Sequence, residues 1–130
     1  MGNIVPLRAS FEDVEHAQDG HAIIISTLPE QEPVFIKGTV SAGEEVARVE
    51  HAIGRKEHII IYGRHSNDDT VYAKYDQILK LGGRPLIYTG GLFEWLLLQD
   101  IFGDRIQTTA TTLDILRYKP AKTIKKYLTN

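Results

Sequence analysis

The sequence predicts an α/β layer sandwich, with a mostly parallel central sheet of about five strands flanked by helices. Three observations carry that expectation. Short runs rich in β-branched residues (HAIIIST, VFIKGTV, HIIIY, PLIYT) alternate with amphipathic stretches. Those runs are continuously apolar, as in strands covered on both faces. The breaks between them hold Asp-Gly, Gly-Gly and Pro, which end elements cleanly.

In order, Asn3 to Leu7 reads as a short first strand. Ser10 and Asp13 have the spacing of a capping box, so a helix of two or three turns runs to about Gln18 and stops at Asp19-Gly20. His21 to Thr27 is a buried strand. LPEQEP follows as a loop in which two prolines bound an acidic patch. Val34 to Val40 reads as a further strand, with Gly38 as a bulge. Ala42 to Ile53 is helical, with Val46, Val49, Ala52 and Ile53 on one face and Gly54 as the stop.

The centre of the chain is HIIIYGRHSNDDTVYAKY. It reads as a strand to Tyr62, a polar loop from Gly63 to Asp69, and a helix whose face is Val71, Tyr75, Ile78 and Leu79. In parallel sheets ligands bind at such strand-to-helix turns. Gly82-Gly83 ends the helix, and Pro85 to Thr89 is the next strand. Gly90-Gly91 leads into Leu92 to Phe102, apolar almost all round, hence deeply packed or shared with a partner. Leu113, Ile115, Leu116 and Tyr118 form a last segment on a single domain spanning residues 1–116.

Composition narrows the function. With 42% apolar and 25% charged residues the chain is an ordinary globular one, and no apolar run approaches the ~20 residues of a membrane span. The first residues lack a secretory signal pattern. There is no cysteine, which excludes disulfides, thiolate metal sites and thiol nucleophiles, and which fits a reducing, cytoplasmic setting. Residues 117–130 form a basic tail with Arg117, Lys119, Lys122, Lys125 and Lys126 and no acid, so the rest of the chain carries −7. Without interleaved aromatics this tail reads as solvated, not as a nucleic-acid site.

Three stretches in order, HIIIYGRHSNDDTVYAKY, ILKLGG and YTGGLFEW, resemble the rhodanese-like family over roughly residues 4 to 103. Gly90, Gly91 and Trp95 are the most specific part. The resemblance implies a rhodanese-like three-layer sandwich with Trp95 in its core. It also implies the catalytic positions, and here the sequence departs. Gly63 stands where the family has its sulfur-carrying cysteine. Asp68 stands where the loop commonly ends in arginine. Ser26, Thr27 and Leu28 replace an Asp-x-Arg, and Ile36, Lys37 and Gly38 replace a Gly-His-Ile. The reading is a degenerate loop, Gly63, Arg64, His65, Ser66, Asn67, Asp68 and Asp69, in a domain with no catalytic residue, cofactor or metal site. It acts as a protein-interaction or regulatory module that binds a protein partner or a second copy, with Phe93 and Leu97 as the candidate surface. The alternative is an enzyme or small-anion-binding domain running non-thiol chemistry from the same loop with Arg64, His65 and Asp68.

Electrostatics weigh on that alternative. A helix amino terminus attracts an anion by ~0.3–1 kcal/mol, or ~2 when partly buried. One carboxylate ~6 Å away repels it by roughly 3 kcal/mol at an effective dielectric near 20. Asp68 and Asp69 therefore fit capping better than an anion cradle, with Ser66 or Asn67 as the cap and Asp68 and Asp69 in the first turn. A pairing of His65 with Asp68 or Asp69 as an acid-base pair or metal site lacks further ligands, because His16, His21, His51 and His58 are scattered.

Overall fold

The computed structural model describes residues 5–111 and 114–124. Four parallel strands form the sheet in the order β1 (Arg8–Ala9), β4 (Arg84–Tyr88), β3 (His58–Tyr62), β2 (Ala22–Ser26). The register pairs Ile23 with Ile59, Ile60 with Leu86 and Tyr62 with Tyr88. Because side chains alternate across a strand, the isoleucine runs feed two cores. Ile24, Ile60, Tyr62 and Tyr88 pack against α1 (Phe11–His16) and α4 (Gly91–Phe102), meeting Val14, Leu92, Trp95 and Leu96. Ile23, Ile25, Ile59, Ile61 and Ile87 pack against α2 (Glu45–Gly54) and α3 (Thr70–Lys80), meeting Val49, Ala52, Val71, Tyr75 and Ile78. The result is the expected three-layer sandwich. No helix among the described residues is long and apolar enough to cross a membrane.

Ser10 and Asp13 form the capping box read from the sequence, each side chain bonding the other's backbone. Helix α1 then widens into a π-helical turn, Ala17–His21, kinked at Gly20 with φ +94°.

Several expectations are corrected. The first strand is Arg8–Ala9, directly after Asn3 to Leu7, of which Asn3 and Ile4 lie outside the described residues. Val34 to Val40 is not a strand. Gly38, at φ +94°, reverses the chain, and only two isolated bridges remain, Thr39 to Ile24 and Ile36 to Thr108. The Ile36 N–H donates to the Tyr62 hydroxyl at 3.1 Å, and the Thr39 hydroxyl donates to the Ile36 carbonyl at 2.6 Å. This turn seals the edge of β2, with Val34 and Ile36 fully buried beneath it.

Val46 and Leu79 lie at the margins of their apolar faces and are exposed. Gly54 stays helical, and the left-handed residue that turns the chain into β3 is Lys56, at φ +60°. The domain boundary expected after Leu116 falls inside a 3-10 turn, Ile115–Tyr118, whose Tyr118 is fully buried. Of the basic tail, Lys125 and Lys126 lie outside the described residues, as does Leu113.

Entry to α4 depends on Gly91. Its φ is +67°, and a Cβ there would stand 2.7 Å from the Gly63 carbonyl oxygen and 2.9 Å from the His65 nitrogen. Gly82, at φ +88°, faces open space. Gly91→Ala is therefore expected to cost about 2 kcal/mol or more, by strain and collision together, and Gly82→Ala about 1 kcal/mol by strain alone. Urea denaturation of the two variants measures the difference; equal costs would show that the contact with the loop is not tight.

Candidate functional site

The polar loop 63–69 lies at the carboxyl end of β3 and leads into α3. Beside it runs a shallow pocket of about 460 Å³, lined by Thr27, Leu28 and Pro29 and by Arg64, His65, Asn67, Asp68, Asp69 and Thr70. Asp68 organises this loop. Its Oδ2 accepts from the Arg64 N–H at 2.8 Å, and its Oδ1 accepts from the Thr70 N–H at 3.1 Å and the Thr70 hydroxyl at 2.5 Å. The Thr70 hydroxyl also pairs with that of Thr27 at 2.7 Å. Asp68 is thus the side-chain cap of α3, correcting the expectation for Ser66 or Asn67. Those two residues form an exposed turn instead, with the Asn67 N–H donating to His65 Nδ1 at 3.1 Å. Asp69 occupies the N-cap position without a side-chain bond.

The carboxylate of Asp68 fills the space beside Gly63. A Cβ on Gly63 would lie 2.5 Å from Asp68 Oδ2 and 2.9 Å from its Cγ. The loop's outward carbonyls are taken as well. The Leu92 N–H donates to the Gly63 carbonyl and the Phe93 N–H to the Arg64 carbonyl, both at 2.9 Å. The loop therefore closes on its own groups and on the start of α4.

The partners of Arg64 lie far from it in sequence. Its Nη2 donates to Glu32 Oε2 at 2.9 Å, and its guanidinium lies 5.2 Å from the Tyr118 ring centroid. Tyr118 donates its hydroxyl to Glu32 Oε1 at 2.9 Å, and the Arg117 side chain reaches the same oxygen at 3.3 Å. Glu32 thereby joins the LPEQEP loop, the polar loop and the C-terminal segment. The only local signal was an acid between two prolines, because the partners lie 32 and 86 residues away in sequence.

Burial raises the Glu32 carboxyl, but the Tyr118 hydroxyl and the charges of Arg117 and Arg64 outweigh it and hold the group below its ordinary 4.5. Asp68 behaves alike: burial is outweighed by the Thr70 hydroxyl and the Arg64 and Thr70 N–H groups. Burial also pushes the Tyr62 phenol up to about 12. Tyr88 moves up further still, through burial and through its hydrogen bond to Glu94 at 2.6 Å. Among the described residues no three His, Cys, Asp or Glu side chains gather as a metal site.

Of the candidate surface residues, Phe93 is half-buried against the core and Leu97 is exposed. Ile101, one turn further on, is 70% exposed. Trp95 is fully buried, meets the Tyr88 ring edge-on and donates its indole N–H to the Gln107 carbonyl at 2.9 Å.

No family model and no curated protein matches the chain. Solved structures do. A full-length protein from Lactobacillus plantarum superposes with a TM-score of 0.62 at 15% identity, covering 81% of this chain and 88% of that one. A protein from Bacillus halodurans gives 0.57 at 14%, covering 72% and 73%. These likenesses define a shared α/β fold. The fold is rhodanese-like: the thiosulfate sulfurtransferase from Pseudomonas aeruginosa superposes with a TM-score of 0.58 at 17% identity. That match covers 87% of this chain but 23% of the longer protein.

Two outcomes follow from the loop. Asp68→Ala removes the acceptor of three hydrogen bonds and is expected to cost roughly 1–3 kcal/mol; amide exchange at Arg64 and Thr70 should accelerate with it, and unchanged exchange there would contradict the capping role. For Glu32, a carboxyl whose folded pKa is depressed adds stability that is complete above its ordinary value and drains as pH falls through the depressed one. The melting-temperature loss caused by Glu32→Gln should therefore be largest near neutral pH and shrink below pH 4.5. A gap that stays constant into acid would show that the Glu32 charge adds nothing.

Proposed function

We propose that the chain is a rhodanese-like domain that performs no sulfur transfer and acts by binding a protein partner. The observation that carries this reading is the closure of the loop by Asp68 at a glycine with no room for a side chain. A rhodanese-like cysteine at Gly63 would collide with that carboxylate. The chain also has no thiol anywhere to carry sulfur.

A small-anion or non-thiol catalytic role for the loop has less support. The anion nearest the start of α3 is Asp68 itself, and an incoming one would meet its charge. Binding through a surface is supported by the exposed stripe Leu97 and Ile101 on α4, one turn apart on a helix whose opposite side fills the core. Absence of cysteine suits a reducing compartment, and the cytoplasm is the compartment this reading assigns.

The test has two arms. The wild-type chain should show no transfer of sulfur from thiosulfate to cyanide above the buffer rate; transfer that disappears on heat unfolding would sink the first half. Leu97→Asp and Ile101→Asp should abolish capture of a partner bound by the wild type, with melting temperature unchanged within a few degrees. A partner retained by both variants would remove α4 as the surface.

A further inference from the structure

Glu32 sits on a turn flanked by Pro29 and Pro33, closed by its own N–H donating to the Pro29 carbonyl at 3.1 Å. Glu30 and Gln31 beside it are exposed, yet the Glu32 side chain is only 6% exposed. Around its carboxylate stand two guanidiniums and a phenol. Arg64 and Tyr118 each approach to 2.9 Å, and Arg117 to 3.3 Å. The Arg64 guanidinium lies against the Tyr118 ring at 5.2 Å from its centroid, and that of Arg117 at 5.8 Å. The Arg64 Nη1 also lies 3.4 Å from the Arg117 carbonyl, which tethers the two arginines.

Paired guanidiniums with a hydroxyl are a donor set suited to carboxylate and phosphate oxygens, because the planar fork offers parallel N–H bonds. The donors come from the polar loop and the C-terminal segment. The acceptor comes from a third segment, a surface turn whose prolines have no N–H to hold it. We propose that Arg64, Arg117 and Tyr118 form an anion-binding site that Glu32 fills from within and yields to an anionic group presented by a binding partner. The occupant is a carboxylate or a phosphate group. This goes beyond the protein-binding role proposed above and stands apart from the stripe on α4.

The site is distinct from an anion cradle in the loop at the start of α3. Asp68 is bonded to the backbone of Arg64, whereas the Glu32 position lies at the far end of that side chain. An occupant there replaces one negative charge with another, and both arginines stay paired. A tethered carboxylate competes at a high effective concentration. The wild-type chain should therefore bind free anions weakly, and a chain without the Glu32 charge should bind them well.

Glu32→Gln keeps the shape and leaves an amide oxygen to accept from Tyr118, while both guanidiniums lose their counter-charge. The full-length variant and the wild type are melted in chloride, acetate and inorganic phosphate at matched ionic strength. Phosphate or acetate should raise the melting temperature of Glu32→Gln by several degrees over chloride, and that of the wild type by a degree or less. The gain should vanish when Arg64→Ala is added. A larger gain with phosphate assigns a phosphate occupant, and a larger gain with acetate a carboxylate. A folded Glu32→Gln chain that gains nothing over chloride, or a wild type that gains as much, overturns the proposal.

Should Glu32→Gln fail to fold in every buffer, amide exchange of the wild type decides. High phosphate should speed exchange at Glu32 relative to chloride, while the bonded amides of Arg117 and Lys119 remain protected. Unchanged exchange in the turn overturns the proposal equally.

Discussion

The loop at the end of β3 rests on one carboxylate. Asp68 bonds backward to Arg64 and forward to Thr70, so one side chain ties the start of the loop to the start of α3. Its position excludes a side chain at residue 63. The compact loop in turn lets α4 begin against it, with N–H groups of Leu92 and Phe93 on the Gly63 and Arg64 carbonyls. That approach requires a glycine at 91, which alone tolerates both the left-handed backbone and the 2.7 Å distance to a carbonyl. Gly63, Asp68 and Gly91 are thus one constraint in three places. Any substitution that reopens the loop must move α4, whose Trp95 and Leu96 are fixed in the core.

The sheet supplies the rigidity behind this arrangement. Both β2 and β3 bury their two faces, so three successive isoleucines in each carry apolar surface to two different layers. At ~25 cal/mol per Å² of apolar area removed from water, burial on this scale is the dominant favourable contribution. The polar groups at the carboxyl ends of the strands are held by side chains of the same core. Tyr62 and Tyr88 are apolar through their rings and bond through their hydroxyls to the Ile36–Thr39 turn and to Glu94. Tyr118 does the same for the C-terminal segment, its ring buried and its hydroxyl on Glu32.

Most of this sheet and its helices was legible in the sequence, because continuous isoleucine runs and 3.6-residue periodicity are local signals. The capping box at Ser10 was legible for the same reason. What failed was set by contacts distant in sequence. Val34 to Val40 has strand composition, but its hydrogen bonds go to Tyr62, Gln107, Thr109, Ile24 and itself, which no window of seven residues reveals. Periodicity also widened two apolar faces by one residue, at Val46 and Leu79. Within the candidate site, the loop was found from the strand-to-helix pattern and its glycine was recognised. Ser66 and Asn67 were expected as the cap because cap preference is local. The choice of Asp68 depends on how the loop folds back on Arg64. The Glu32 cluster was invisible for the plainest reason, since its members lie in three separate stretches of chain.

Asp68 and Glu32 play related physical roles at different ranges. Each supplies a negative charge to donors that would otherwise face solvent or a ligand. Asp68 bonds groups within four residues of itself, so its carboxylate is part of the local fold and leaves only by unfolding the loop. Glu32 bonds groups contributed by other segments and is carried on a turn bounded by prolines. Buried ion pairs are poor sources of net stability, since desolvation consumes most of the attraction. A cluster of two arginines on one carboxylate is therefore better explained by what it positions than by what it stabilises. It fixes the C-terminal segment to the polar loop, and it keeps two cations together around a single exchangeable anion. Of the two internal anions, only the one on the turn can move away without dismantling the strand-to-helix connection.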